Sequence, residues 1–359
     1  MRKFSVVYVP IGVNTFCLES AQVQFEQSCR MIRSFEPESV CPPGILFELQ
    51  ELTDYLDMTA PDLLILQNIT FANSAYTQEV LKRAGDCPIL LWTLREPVVN
   101  GTRLRLNSMT GAYSAAHTIM RFGKDIFLHV FGGPDEERTA EAVKKAIKAA
   151  KIRFELNHLK LLIVGHTPQG FDFGQILDTE IMHRFGVQVE PVEVRQLIVR
   201  AKSYDKNELI QYLETAEEKI KGLSDIPENN VEDFARLWKA YDSYISEKGI
   251  GAVASRCWPD FFTNYGTPVC AVMAMLNDSG TAASCEADGY GALSMYIGQQ
   301  MTHIPVFFGD PVSIDEEKNT FTFWHCGTAA CSLARKDTGA CAGVHCNRKI
   351  GPTLEFGCK

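Results

Sequence analysis

Four short runs in the first part of the chain, "FSVVYVPIG", "DLLILQN", "PILLWTL" and "DIFLHVFG", are apolar almost without interruption. A strand with one wet face alternates polar and apolar residues. A continuous apolar run of strand length is covered on both faces, as in a parallel sheet. Parallel neighbours need a crossover between them, and polar segments of helical character lie between several of these runs. The pattern is βαβ, and residues 1–158 read as one open α/β domain.

The charged segment "DEERTAEAVKKAIKAAKIRFEL" begins with Asp135, Glu136 and Glu137 and continues with lysines, which suits the helix dipole. It leads to "HLKLLIVGHTPQGFDFG", which starts a second α/β unit expected over 159–300. In "NNVEDFARLWKAYDSYISEKG", Asn230 is expected to cap a helix and Gly249 to end it. Phe234, Leu237, Trp238, Tyr241 and Ile245 then form a core-facing stripe at helical spacing. From Ile304 the pattern changes to strand, turn, strand, with further β pieces in "GVHCNRK" and "TLEFGCK". Residues 301–359 are expected to form part of a β-rich C-terminal domain.

Charge and cysteine usage narrow the setting. The 359 residues carry a formal net charge of −9 without a basic block, which argues against nucleic acid and anionic membrane surfaces as partners. No apolar run reaches the ~18–20 residues that span a bilayer. "MRKFSVVYVPIGV" has basic residues before apolar ones, but Pro10 interrupts it and no small-x-small cleavage site follows. It reads as a first strand. None of the twelve cysteines forms C-x-x-C, and the spacings Cys326–Cys331 and Cys341–Cys346 are unusual for a zinc ribbon. Reduced thiols in a cytoplasmic protein are expected, with a metal knuckle among the last five as the lesser alternative.

The loop "VGHTPQG" follows a strand and precedes a helix, so its amides suit an anion. It lacks both G-x-G-x-x-G and G-K-[ST], and a plain βα turn is the simpler reading. Neither a G-x-S-x-G elbow nor an H-E-x-x-H helix occurs. The better chemistry lies in Glu286 of "SCEADGYG", Asp310 of "VFFGD" and His325 of "FWHCG". Thr281 and Ser284 are expected to cap a helix and place Glu286 in its first turn, where the dipole favours the carboxylate. Asp310 is expected to end an apolar strand, and His325 to end the partner strand of the same hairpin. Two carboxylates and an imidazole suit Mn²⁺ or another divalent ion of similar hardness.

"ASRCWPDF", "TPVCAVMAMLNDSGTAASCEADGYGALSMYI", "IPVFFGD" and "FWHCGTA" occur in that order, and with "GTRLRLNSMTG" they resemble the L-fucose isomerase-like family, related to the L-arabinose isomerases. The resemblance is densest over 251–335. It implies a metal-dependent aldose–ketose isomerase with two Rossmann-like α/β domains and a β-rich C-terminal domain, assembled as a homo-oligomer. It implies that Glu286 and Asp310 bind Mn²⁺ and move protons through an enediol intermediate. His325 matches a histidine of the arabinose isomerases, and fucose isomerases proper differ there. The resemblance also implies a C-terminal domain that runs on past Lys359 and supplies another metal-binding histidine; His345 is the only later histidine here, and its flanks differ from the family's terminal motif.

Other residues have two readings each. Trp92 and Trp258 follow strands, where a ring stacks on a sugar or serves as a buried structural side chain. Arg256 binds an acidic substrate group or pairs with a local carboxylate. Asn277 is a candidate for substrate contact or, with Asp278, for support of the Glu286 segment. The alternative function is a non-catalytic sugar-binding or regulatory protein on the same two-domain frame.

Overall fold

The computed structural model describes residues 2–124 and 127–344 and the backbone of 354–358. The chain divides into two compact units, Met1–Phe154 and Glu155–Lys359. Both are built on parallel sheets with helices, the α/β class that the apolar runs imply.

The four runs of the first unit become β1 (Val6–Ile11), β2 (Leu63–Asn68), β3 (Ile89–Thr93) and β4 (Phe127–Phe131). They pair in the order β1-β2-β3-β4, all parallel. Every residue of β1, β2 and β3 is buried, which is why none alternates. Bridges from Val7 to Val40 and from Ile11 to Leu46 add an edge segment outside β1. The order including that segment is the flavodoxin-like 2-1-3-4-5. The helices are α1 (Leu18–Phe35), α2 (Leu49–Asp57), α3 (Ser74–Ala84), α4 (Ser108–Arg121) and α5 (Glu137–Leu156). α1 and α5 bury Phe25, Ile32, Val143 and Ile147 against Val6, Tyr8, Ile65 and Trp92. α2, α3 and α4 cover the alternate residues Val7, Val9, Leu64 and Leu66.

The second unit contains β5 (Lys160–Val164), α6 (Asp178–Phe185), β6 (Gln188–Val192), α7 (Val194–Lys202), α8 (Ile210–Lys219) and the short β7 (Ile220–Lys221). It continues with α9 (Glu228–Lys248), β8 (Ala252–Ser255), α10 (Cys270–Asp278), β9 (Ala282–Cys285) and α11 (Gly289–Thr302). The parallel sheet runs β6-β5-β8-β9. The chain moves from β5 to one side and then returns to the other, so the order reverses between β5 and β8. Ligands of open α/β sheets bind at the carboxyl ends of strands at such a point.

The stripe of α9 is buried as its spacing predicts, with Phe234, Leu237 and Tyr241 at 0% exposure in one core with Leu162, Val253 and Met273. "PVCAVMAMLND" forms α10, which is apolar nearly all round and buried from Cys270 to Asn277. Gly249 ends α9 in the left-handed region at φ 66°. Asn230 does not cap it. Pro227 precedes the first turn, where its missing N–H costs nothing, and Asn230 lies inside the helix, donating to Thr267 Oγ1 at 3.4 Å.

β10 (Asp310–Asp315) and β11 (Thr320–Trp324) form the expected antiparallel hairpin, with an irregularity between Pro311 and Ser313. β12 (Ala340–Val344) pairs antiparallel with β13 (Leu354–Cys358) and parallel with β7. His345 lies outside the described residues. Among the described residues, no helix is long and apolar enough to cross a membrane.

Candidate functional site

Glu286 is not in a helix. β9 ends at Cys285, and Glu286 (φ 63°) and Ala287 (φ 54°) then turn through left-handed backbone. Two consecutive non-glycine residues rarely adopt that region, and such local strain concentrates at functional sites. α11 begins later, at Gly289, and its cap is Asp288, whose Oδ1 accepts from the Gly291 amide at 2.7 Å. Ser284, expected as a cap, is buried in β9 and donates to the Asp288 carbonyl at 2.6 Å. "TAASC" offers hydroxyls where caps occur, but Ala282–Cys285 form a buried strand, so the helix starts later, at Gly289.

Asp310 opens β10 rather than ending a strand; residues 305–309 carry no regular structure. The expected hairpin neighbourhood does form. Asp310 pairs with Trp324, so His325 is the next residue along the partner strand. The Phe308 and His325 ring centroids are 5.6 Å apart. Phe308 also rests on the first turn of α11, because a Cβ at Gly291 would stand 2.5 Å from its ring. That glycine lets the lead of the hairpin close on the helix behind Glu286.

Electrostatics ties the three groups together. Burial pushes the Glu286 carboxyl up to about 7, the field of Cys257 adds to this, and Asp310 adds further while His325 opposes. Burial alone would lower His325, but its hydrogen bond with Cys326 and the fields of Cys326, Asp310 and Glu286 outweigh it and leave the imidazole raised. His325 Nδ1 is buried without a hydrogen-bond partner among the described residues. Carboxylate and imidazole are donor types that suit a divalent cation, but among the described residues Glu286, Asp310 and His325 do not bring their donor atoms within 4.8 Å of one another, so holding one ion requires them to draw closer. A carboxyl near neutrality is also suited to accepting and returning a proton.

The remaining candidates separate. Trp92 sits within β3 at 0% exposure, and its indole N–H donates to the Gly132 carbonyl at 2.9 Å. It belongs to the core of the first unit. Asn277 is also buried. Its amide donates to the Ala283 and Thr328 carbonyls at 2.9 and 3.1 Å and accepts from the Ala283 amide at 2.8 Å. Both donors are spent on backbone, so Asn277 braces β9 instead of meeting a sugar. Burial would raise the Asp278 carboxyl, but Lys219 and the Ser332 amide (2.7 Å) hold it low.

Trp258 and Arg256 stand at the carboxyl end of β8. Trp258 is 41% exposed, and its carbonyl accepts from Arg256 Nε at 3.1 Å. Arg256 also pairs with Asp260 at 3.0 Å and touches the His166 ring at 3.2 Å. Arg256 and Asp260, with Gly165, His166, Arg195 and Lys202, line a cavity of about 570 Å³ at the reversal between β5 and β8. Sequence reasoning did not find His166, Arg195 or Lys202, which come from two segments, the turn after β5 and the helix α7. It also did not foresee a cluster of buried cysteines beside Glu286 and His325.

No protein-family profile matches the chain. Curated relatives do match it. The chain is 56% identical to a sulfoquinovose isomerase of Clostridium sp. (strain MSTE9) over 359 residues, which is 100% of this chain and 80% of that protein. It is 35% identical to a sulfoquinovose isomerase of Priestia megaterium, over 100% of this chain and 80% of the relative. It is 34% identical to one from Alkalicoccus urumqiensis, over 99% and 80%. These relatives, matched over the full length of this α/β chain, define an enzyme of the aldose–ketose sugar isomerase class. Within that class, the chain belongs to the sulfoquinovose isomerase family.

Proposed function

We propose that this enzyme converts sulfoquinovose, a sulfonated aldose, into the matching ketose through an enediol, with Mn²⁺ or a similar divalent ion held by Glu286, Asp310 and His325. The observation that supports the reading is that Glu286, at the turn after β9, lies within the electrostatic reach of Asp310 and His325, which neighbour one another on one hairpin. When bound, the cation supplies charge that polarises the sugar oxygens and stabilises the enediolate. Glu286 and Asp310 carry the proton between C2 and C1, one taking it and the other returning it. His325 holds its place through Phe308.

The sulfonate lies at the end of the sugar opposite C1. Arg256, Arg195 and Lys202 line the cavity by β5 and β8, one strand away from β9 and Glu286. Guanidinium forks match sulfonate oxygens as they match phosphate, so Arg256 is assigned as the anchor. Exposed Trp258 flanks the same strand end and offers a face for the sugar ring. The motifs from Ala254 to Ala329 support a wider kinship with L-fucose isomerase-like enzymes. Cytoplasmic location and homo-oligomeric assembly complete the proposal. Exposed Ile314, Phe321 and Phe323 on the hairpin supply apolar surface for a second copy.

The test is incubation with sulfoquinovose and Mn²⁺, with identification of the product beside a panel of unsulfonated aldoses. Formation of the sulfonated ketose supports the reading. Ligand-induced stabilisation without turnover, or equal turnover of unsulfonated sugars, overturns it.

A further inference from the structure

Four thiols from four separate segments meet beside the Glu286–Asp310–His325 group. Cys257 follows β8, Cys270 opens α10, Cys285 ends β9, and Cys326 follows β11. The sulfurs of Cys257, Cys270 and Cys285 all lie within 4.8 Å of one another. Cys326 Sγ is 3.8 Å from Cys270 Sγ. Cys270 and Cys285 are 0% exposed, Cys257 is 6% exposed, and Cys326 is half-buried. The described cysteines form no disulfide.

We propose that Cys257, Cys270, Cys285 and Cys326 form a structural zinc site. Sulfur donors select a thiophilic d¹⁰ ion, whereas the neighbouring carboxylates select a harder one. A tetrahedron of thiolates at ~2.3 Å from zinc has sulfur–sulfur edges of about 3.8 Å. The Cys270–Cys326 separation has that length; the edges among Cys257, Cys270 and Cys285, each at most 4.8 Å, need only a small contraction, and Cys326, outside that group of three, has to move further toward Cys257 or Cys285. Binding forms four Zn–S bonds; each thiol that still carries its proton loses it to solvent, Cys326 being held down to about 5 by its neighbours Cys270 and His325 and already a thiolate, and nothing is oxidised or reduced. Cys270 occupies the first turn of α10, whose positive end offsets part of the thiolate charge.

The placement gives the site its purpose. Cys285 precedes Glu286, Cys326 follows His325, and Cys257 follows Arg256. One ion would therefore hold three segments that each present a proposed active-site residue. With all four positions filled by sulfur, the zinc is closed to substrate and acts by positioning.

The test is elemental analysis of the whole chain purified from zinc-supplemented culture, followed by chelation and titration with Co²⁺. One equivalent of zinc is expected in the unaltered chain and in Glu286→Gln, because the thiol site does not use that carboxylate. Co²⁺ should give an intense sulfur-to-metal charge-transfer band, which the oxygen and nitrogen donors of the other site cannot produce. Cys270→Ser should reduce both signals at least tenfold. If that variant does not fold, the unaltered chain decides the matter: after chelation, Co²⁺ should bind to one equivalent with the charge-transfer band, and added zinc should displace it and abolish the band. A zinc-free chain that gives no charge-transfer band with Co²⁺ overturns the proposal, and the cluster is then thiol packing alone.

Discussion

At the level of single residues, Glu286 combines an unusual backbone, partial burial and a raised carboxyl. Glu286→Gln keeps its size and hydrogen-bonding shape but removes proton transfer. The expected outcome is a fall in kcat of about 10²–10⁴-fold with an unchanged circular dichroism spectrum. A variant that retains turnover would remove Glu286 from the mechanism. Arg256→Gln is expected to raise KM for the sulfonated sugar at least tenfold and to change kcat less, since an anchor remote from the reacting carbons contributes to binding in ground and transition states alike. A separate prediction concerns pH. Glu136 is held down to about 2, first by its hydrogen bonds from Arg95 and then by the Gly133 amide. A depressed carboxyl stabilises the fold above its unfolded value and loses that contribution as pH falls through its folded value. The Arg95–Glu136 contribution is thus complete above pH ~4.5 and lost toward pH 2. Carboxyl NMR should show Glu136 titrating near 2, and Arg95→Gln should return it toward the ordinary range.

At the level of elements, the sequence revealed those whose pattern one physical rule decides. The runs of β1 to β3 are apolar because both faces are covered, and α9 shows its stripe because one face is. The Asp310–His325 neighbourhood was legible because a hairpin is a local structure. The true start of α11 was not, since Ser284 and Asp288 are both good caps and only the burial of β9 chooses between them. The thiol cluster was hidden for a related reason: its members are scattered from Cys257 to Cys326 and meet only after β8, β9, α10 and the hairpin have packed. Asn277 shows how one side chain secures such packing. Asn277→Ala strips partners from the Ala283 amide and from the Ala283 and Thr328 carbonyls, all around a buried position. A loss of about 2–4 kcal/mol is expected in urea denaturation. A loss below about 1 kcal/mol would mean that water replaces the amide there.

At the scale of the whole molecule, the hairpin β10–β11 is the exposed apolar feature that stands out. Val312, Ile314, Phe321, Phe323 and Trp324 are each more than half exposed, and the Phe321 and Phe323 rings stack at 6.3 Å. Soluble monomers seldom leave a contiguous apolar surface of this kind uncovered. The same hairpin carries Asp310 and leads into His325, so whatever covers it also bears on the site. If that cover is a second copy of the chain, assembly and activity are coupled through one element. Phe321→Ser with Phe323→Ser removes the stacked aromatic pair from the apolar surface without touching the register pair at Asp310. Sedimentation velocity should then show the unaltered chain as an oligomer and the double variant as a monomer. Its isomerase activity should fall in parallel with dissociation and recover at high protein concentration, where mass action restores the contact. A double variant that sediments like the parent would place the subunit contact elsewhere and leave the hairpin without a role in assembly.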